Sequence, residues 1–238
     1  MGARVTEHRD LLRRVSIFQD LSDPDLSRLG QRLVPKTFDK DGIIVSQEAE
    51  GDALYIIKSG RVKVVLYGDS GREIILSMFK PGDFFGEMSL IDNQPRSANV
   101  IALEESEVLV LSRDSFAKQI VESPLLAMAI LGEMSRRLRR ADAAIGSLAL
   151  LDVYGRLAHV LIDLGKREGT TTGAGIFIRE RPTQQDLASM VGTTRETVSR
   201  ALSEFQRRGL IEMRGRALIL NPGFSADHIN NDPVASGD

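Results

Sequence analysis

The sequence predicts an α+β fold in three parts: a small antiparallel β barrel or roll, one long helix, and a helical domain closed by a hairpin. Three observations carry this. Glycines at 42, 51, 60, 71 and 82 recur every nine to eleven residues in turn-like settings, the rhythm of short strands joined by tight turns. After Pro124, apolar residues fall at Ala127, Leu131, Met134, Leu138, Ala141, Ile145 and Leu148, alternating four and three. Near the end, two short helical patterns separated by Gly192 precede two β-rich runs around Arg214-Gly215-Arg216.

In chain order, Leu11 to Phe18 reads as a short amphipathic piece. Ser22-Asp23-Pro24-Asp25 has the capping hydroxyl and early acids of a helix start. Between the glycines lie Ile43–Val45, Leu54–Ile57, Val62–Tyr67 and Ile74–Phe79, with further strands at Asn99–Leu103 and Val108–Leu111. The 127–148 stripe is a heptad seam ~30 Å long, narrower than an ordinary core face, so it predicts a helix pairing with a second copy. Arg136, Arg137, Arg139 and Arg140 lie off the seam and are expected to stay solvated.

Beyond Leu151, Asp152 opens a helix with Val153, Leu157, Val160, Leu161 and Leu164 on one face, and Gly165 is expected to end it. Lys166 to Gly175 reads as a polar loop and Ile176–Ile178 as a short strand. A helix from Thr183 to Met190, the Gly192 turn and a helix from Thr193 follow, the last burying Val198, Leu202 and Phe205. With the hairpin of 210–220 they make a winged helix-turn-helix.

Composition limits the chemistry. The 238 residues have room for two modest domains, and the chain has no cysteine, which excludes thiolate metal sites, disulfides and iron–sulfur clusters. His8, His159 and His228 are scattered, with no Walker or zinc motif, so the chain does not read as an enzyme. The polar first ten residues predict no signal peptide and no apolar run is long enough for a bilayer, so a cytoplasmic protein without a membrane partner is expected. A net charge of −2 advertises no general affinity for nucleic acid. From Arg195 to Arg216, however, six arginines (195, 200, 207, 208, 214, 216) face three glutamates (196, 204, 212). That local excess suits phosphate contacts.

The stretch Phe84-Phe85-Gly86-Glu87-Met88-Ser89-Leu90, closely followed by Arg96-Ser97-Ala98, gathers what a nucleotide needs. Glycine permits close backbone approach, a carboxylate binds ribose hydroxyls, and a guanidinium binds phosphate. An isolated Arg-Ser is more simply a surface turn with an incidental ion pair. Together with the glycines before them these residues resemble the phosphate-binding cassette of the cyclic-nucleotide-binding domain. From about Leu11 to Pro222 the chain resembles the bacterial cyclic-AMP receptor protein/FNR family of transcription regulators.

The resemblance implies a cyclic-nucleotide-binding β-roll (jelly-roll) at 1–121, a dimerisation helix at 122–151 and a winged helix-turn-helix DNA-binding domain at 152–224. The tail, 225–238, is expected to be loose. It implies no cofactor, but an effector: a cyclic nucleotide, cyclic AMP first, with cyclic GMP, cyclic-di-GMP or no ligand as alternatives. Glu87 would bind the ribose 2′-hydroxyl, Arg96 and Ser97 the cyclic phosphate, and Gly86, Met88 and Ser89 would line the pocket. Ala141 and Asp142 stand where the best-known member has threonine and serine on the adenine amine. Alanine cannot hydrogen-bond the base, and Asp142 either accepts from it or points to solvent.

Thr194, Arg195, Glu196, Ser199 and Arg200, with Arg214 and Arg216 on the hairpin, would contact double-stranded DNA. Arg195 and Arg200 suit guanine and Glu196 a cytosine amine. Locally the same residues fit a Thr193–Glu196 capping box and a Glu196–Arg200 pair. The family's pattern, Arg-Glu-Thr-Val then Ser-Arg, matches 195–200 and favours DNA. It further implies a homodimer, a TGTGA-like palindrome and RNA polymerase as a partner.

Overall fold

The computed structural model describes residues 2–225, so all of the expected tail but Ser225 lies outside the described residues. The chain folds as two compact units, Met1–Leu138 and Arg139–Asp238.

The first unit opens with α1 (Gly2–Leu12) and α2 (Asp23–Gln31). Ser22 caps α2 as its spacing suggests, its hydroxyl accepting from the Asp25 N–H at 3.3 Å, with Asp23 and Asp25 in the positive first turn. The piece expected over 11–18 differs. Helix α1 stops at Leu12, and the turns that follow bury Val15, Ile17 and Phe18 without a helical stripe.

Eight strands follow: β1 (Val34–Phe38), β2 (Ile43–Val45), β3 (Ala53–Ser59), β4 (Val62–Tyr67), β5 (Glu73–Phe79), β6 (Phe84–Phe85), β7 (Asn99–Ala102) and β8 (Ser106–Ser112). They pair antiparallel in two four-stranded sheets, β1-β8-β3-β6 and β2-β7-β4-β5, which is the expected roll. Strand β3 is buried on both faces. Leu54 and Ile56 join the core under α1 and α2, while Ala53, Tyr55 and Ile57 face the opposing sheet. A strand so placed reads as an unbroken apolar run, as 54–57 does. Strand β1, which is not among the strands expected from the sequence, contains Pro35; at a sheet edge the missing donor is tolerated.

Three helices complete this unit: α3 (Glu87–Asp92), α4 (Arg113–Glu122) and α5 (Pro124–Leu150), the last continuing past the unit's boundary. Helix α5 buries Leu126, Ile130 and Glu133 along one face. Most of its heptad seam lies elsewhere: Leu131, Leu138, Ile145 and Leu148 are 60%, 64%, 64% and 58% exposed, whereas Met134 packs against the core of the first unit. Among the described residues no helix is long and apolar enough to cross a membrane.

The second unit contains α6 (Val153–Glu168), β9 (Thr170–Thr172), β10 (Gly175–Ile178), α7 (Gln184–Val191), α8 (Arg195–Arg207), β11 (Ile211–Arg214) and β12 (Ala217–Leu220). The four strands form one antiparallel sheet in the order β11-β12-β10-β9. Asp152 caps α6, accepting from the Gly155 N–H at 2.7 Å. Gly165 does not end that helix, which runs on to Glu168. A Cβ there would sit 3.0 Å from Leu220 Cδ1 and 3.3 Å from Ile176 Cγ2, so its glycine serves close packing on the sheet. The loop expected over 166–175 contains β9, which pairs with β10.

Thr183 and Asp186 form a full capping box at the start of α7, which Gly192 closes at φ 71°. The cap of α8 is Thr194, not Thr193: its hydroxyl accepts from the Thr197 N–H at 3.3 Å, so Glu196 is not the third residue of a box. Val198, Leu202 and Phe205 are fully buried, as their spacing predicts.

Candidate ligand pocket and DNA interface

In the first unit the cassette residues converge at the end of β6. Gly86, at φ 89°, turns the chain from that strand into α3. A Cβ on Gly86 would meet Arg96 Nη1 at 2.7 Å and the Ala53 carbonyl at 2.9 Å, so only glycine fits. Arg96 is 4% exposed. Its Nη1 donates to the Gly86 carbonyl and its Nη2 to the Ala53 carbonyl, each at 2.8 Å. A guanidinium carries five N–H donors, so these two bonds leave others for an anion.

Glu87 is 1% exposed, and its Oε1 accepts from Arg137 Nη1 at 2.9 Å while Oε2 has no partner. Burial pushes this carboxyl above the ordinary carboxylate range, although Arg137 pulls the other way. A buried acceptor without a donor costs free energy until one arrives. Ser89 is buried; Met88 and Ser97 are exposed, with Ser97 Oγ 3.9 Å from Met88 Sδ.

Arg137 is the functional candidate that the basic run concealed. It is half-buried and not free in solvent: Nη2 donates to the Phe84 carbonyl at 2.8 Å and Nε to Glu133 Oε1 at 3.2 Å, beside the bond to Glu87. Its guanidinium lies 5.2 Å from the Phe79 ring centroid and 4.7 Å from that of Phe84. Phe79 stacks on Phe85 at 6.3 Å and Phe85 on Tyr55 at 5.1 Å, and Arg96 lies 5.6 Å over Tyr55. A column of three rings thus stands between the two arginines.

Arg113 closes the far side of the cassette. It donates to the Ser89 carbonyl at 2.9 Å, to Asn93 Oδ1 at 2.6 Å and to the Gly51 carbonyl. Ala141 and Asp142 are exposed on the part of α5 beyond Leu138. Among the described residues no group of three or more His, Cys, Asp or Glu could hold a metal ion.

In the second unit, the cap residue Thr194 and, on α8, Arg195, Glu196 and Arg200 are exposed, and Ser199 is half-buried. Arg195, Glu196, Ser199 and Arg200 line one groove with Gln184. Arg200 Nη2 donates to Thr197 Oγ1 at 3.3 Å. Glu196 is held below the ordinary carboxylate range by its own backbone N–H and by the Thr194 hydroxyl. On the hairpin, Arg214 pairs with Glu212 at 2.8 Å and Arg216 with Glu180 at 3.7 Å, and both arginines are exposed. These surface pairs are weak enough for phosphates to displace.

Residues 35–123 match the cyclic nucleotide-binding domain and residues 155–223 the Crp-like helix-turn-helix domain. The two define a transcription regulator with a cyclic-nucleotide-binding sensor and a DNA-binding module. The chain belongs to the cyclic-AMP receptor protein/FNR family. It is 34% identical over 212 residues to a CRP-like cAMP-activated global transcriptional regulator of Mycobacterium tuberculosis, covering 89% of this chain and 95% of that one. It is 35% identical over 179 residues to the cAMP-activated global transcriptional regulator CRP of Salmonella typhimurium, covering 74% and 84%. Among solved structures it is similar to the c-di-GMP responsive global regulator CLP of Xanthomonas campestris. The TM-score is 0.69 at 26% identity, over 84% of this chain and 99% of that one.

Proposed function

We propose that the chain is a homodimeric, sequence-specific regulator whose roll binds cyclic AMP and whose α8 reads a TGTGA-like palindrome. Residues 1–121 serve as the sensor, 122–151 as the dimerisation helix and 152–224 as the DNA reader. The observation that carries the effector assignment is Glu87, a buried carboxylate with one oxygen lacking a donor, close enough to the buried Arg96 to feel its charge. A ribose hydroxyl supplies the donor, and the phosphate takes the free N–H groups of Arg96 with the Ser97 hydroxyl. Relatives named as cAMP-activated support this nucleotide. The exposed seam of α5 supports the dimer, and the family supports RNA polymerase as a partner.

A second reading, an effector other than cyclic AMP, is favoured by Ala141 and Asp142 and by the likeness to a c-di-GMP responsive regulator. Thermal shift separates the two. A ligand at a hundred times its Kd stabilises by about 2.7 kcal/mol, which a melt resolves. Cyclic AMP should raise the melting temperature of the wild type and leave Arg96→Leu unmoved. That variant should itself lose about 1–3 kcal/mol, because the Gly86 and Ala53 carbonyls lose their donor. A shift with cyclic-di-GMP alone would transfer the assignment to the second reading.

A further inference from the structure

Helix α5 carries a buried carboxylate that the cassette pattern does not include. Glu133 is 8% exposed and holds two arginines of its own helix. Its Oε2 accepts from Arg136 Nε at 2.9 Å, and its Oε1 from Arg137 Nε at 3.2 Å. Glu87 takes the other end of the Arg137 guanidinium. Two carboxylates therefore share one cation beside the proposed nucleotide site, and Glu87 feels the charge of Glu133.

The charged groups around the cassette are Arg96, Arg113, Arg136 and Arg137 against Glu87, Glu133 and the exposed Asp52, whose Oδ1 lies 3.7 Å from Arg96 Nη2. A cyclic nucleotide brings one more negative charge into this set. Arg137 does not need Glu133 to stay in place, because the Phe84 carbonyl, Glu87 and two aromatic rings also hold it. The main effect of the Glu133 carboxylate on an anionic ligand is therefore its charge.

We propose that Glu133 is an affinity-setting residue: a countercharge that keeps the pocket's hold on an anionic nucleotide weaker than Arg96 and Arg137 alone would make it. This rests on the proposed nucleotide site. Arg136 moderates the effect from the solvent side, since its side chain is 48% exposed and pairs with Glu133.

Calorimetric titration of cyclic AMP into the full-length protein tests it with two variants of opposite sign. Glu133→Gln keeps one acceptor oxygen, enough for one of the two arginines, and loses the charge, so it should bind about three- to tenfold more tightly. That is the range for one unit charge ~10 Å away at an effective dielectric of ~25–50. Arg136→Gln leaves Glu133 less compensated and should weaken binding by a similar factor. Arg136 is at the surface, so this variant should fold even if Glu133→Gln does not. A packing defect would weaken both variants. Unchanged or weaker binding by Glu133→Gln, or unchanged or tighter binding by Arg136→Gln, would overturn the proposal while leaving the site intact. A wild-type protein that binds no cyclic nucleotide would overturn the site and this inference together.

Discussion

The carboxyl of Glu87 makes a prediction about the ligand-free protein. Its folded pKa lies above the unfolded value because burial outweighs Arg137. A carboxyl shifted in that direction contributes stability below its unfolded pKa, and the contribution is lost as pH rises through the folded value. Without ligand, an ionised Glu87 thus weakens the fold at neutral pH. Relative to wild type, Glu87→Gln should raise the melting temperature more at pH 7 than at about pH 4, and differential scanning calorimetry without nucleotide can show it. Equal differences at the two pH values would mean that Arg137 fully offsets the burial of Glu87. That Gly86, Glu87 and Arg96 come together was legible because the three lie in a short segment. Arg137 was not. In a run containing Arg136, Arg139 and Arg140 nothing local marks the one that turns inward; β6 decides it by presenting the Phe84 carbonyl and ring.

Helices and strands were legible where the pattern is local, and misread where a neighbour in space decides. The cap of α2 and the capping box of α7 follow from residues three apart. Gly165 looked like a terminus because the sheet that needs its missing side chain lies more than ten residues away in sequence. The seam of α5 was legible as a four-three alternation, and its exposure in the single chain makes the dimer testable. Leu138 is 64% exposed, so Leu138→Glu should leave the chain folded but place charges against each other across the proposed interface. Sedimentation at micromolar concentration should show a dimer for wild type and a folded monomer for the variant. A wild-type monomer would remove the seam's role.

Across the whole molecule, charge is distributed by task. A net charge of −2 conceals a stretch, 195–216, that carries six arginines against three glutamates. That contrast argues for specific DNA binding over general adhesion. Arg195→Ala and Arg200→Ala should each cost roughly 1–3 kcal/mol on the cognate palindrome and relax preference at one base pair. Arg214→Ala should weaken all DNA evenly and flatten the salt dependence. Fluorescence anisotropy on cognate and scrambled duplexes at several salt concentrations distinguishes the two behaviours. Equal losses on both duplexes for Arg195→Ala would restrict that side chain to the backbone.

The ring column between Arg96 and Arg137 also has a consequence for spectroscopy. The chain has three tyrosines and no tryptophan. Tyr55 stacks on Phe85 with the two ring planes 3° from parallel. Protons held over the face of a neighbouring ring are magnetically shielded, so the aromatic resonances of Tyr55 should stand upfield of those of the exposed Tyr67. A nucleotide that draws Arg96 away from the Tyr55 face would shift those signals without any introduced label, giving the pocket a built-in reporter for magnetic resonance.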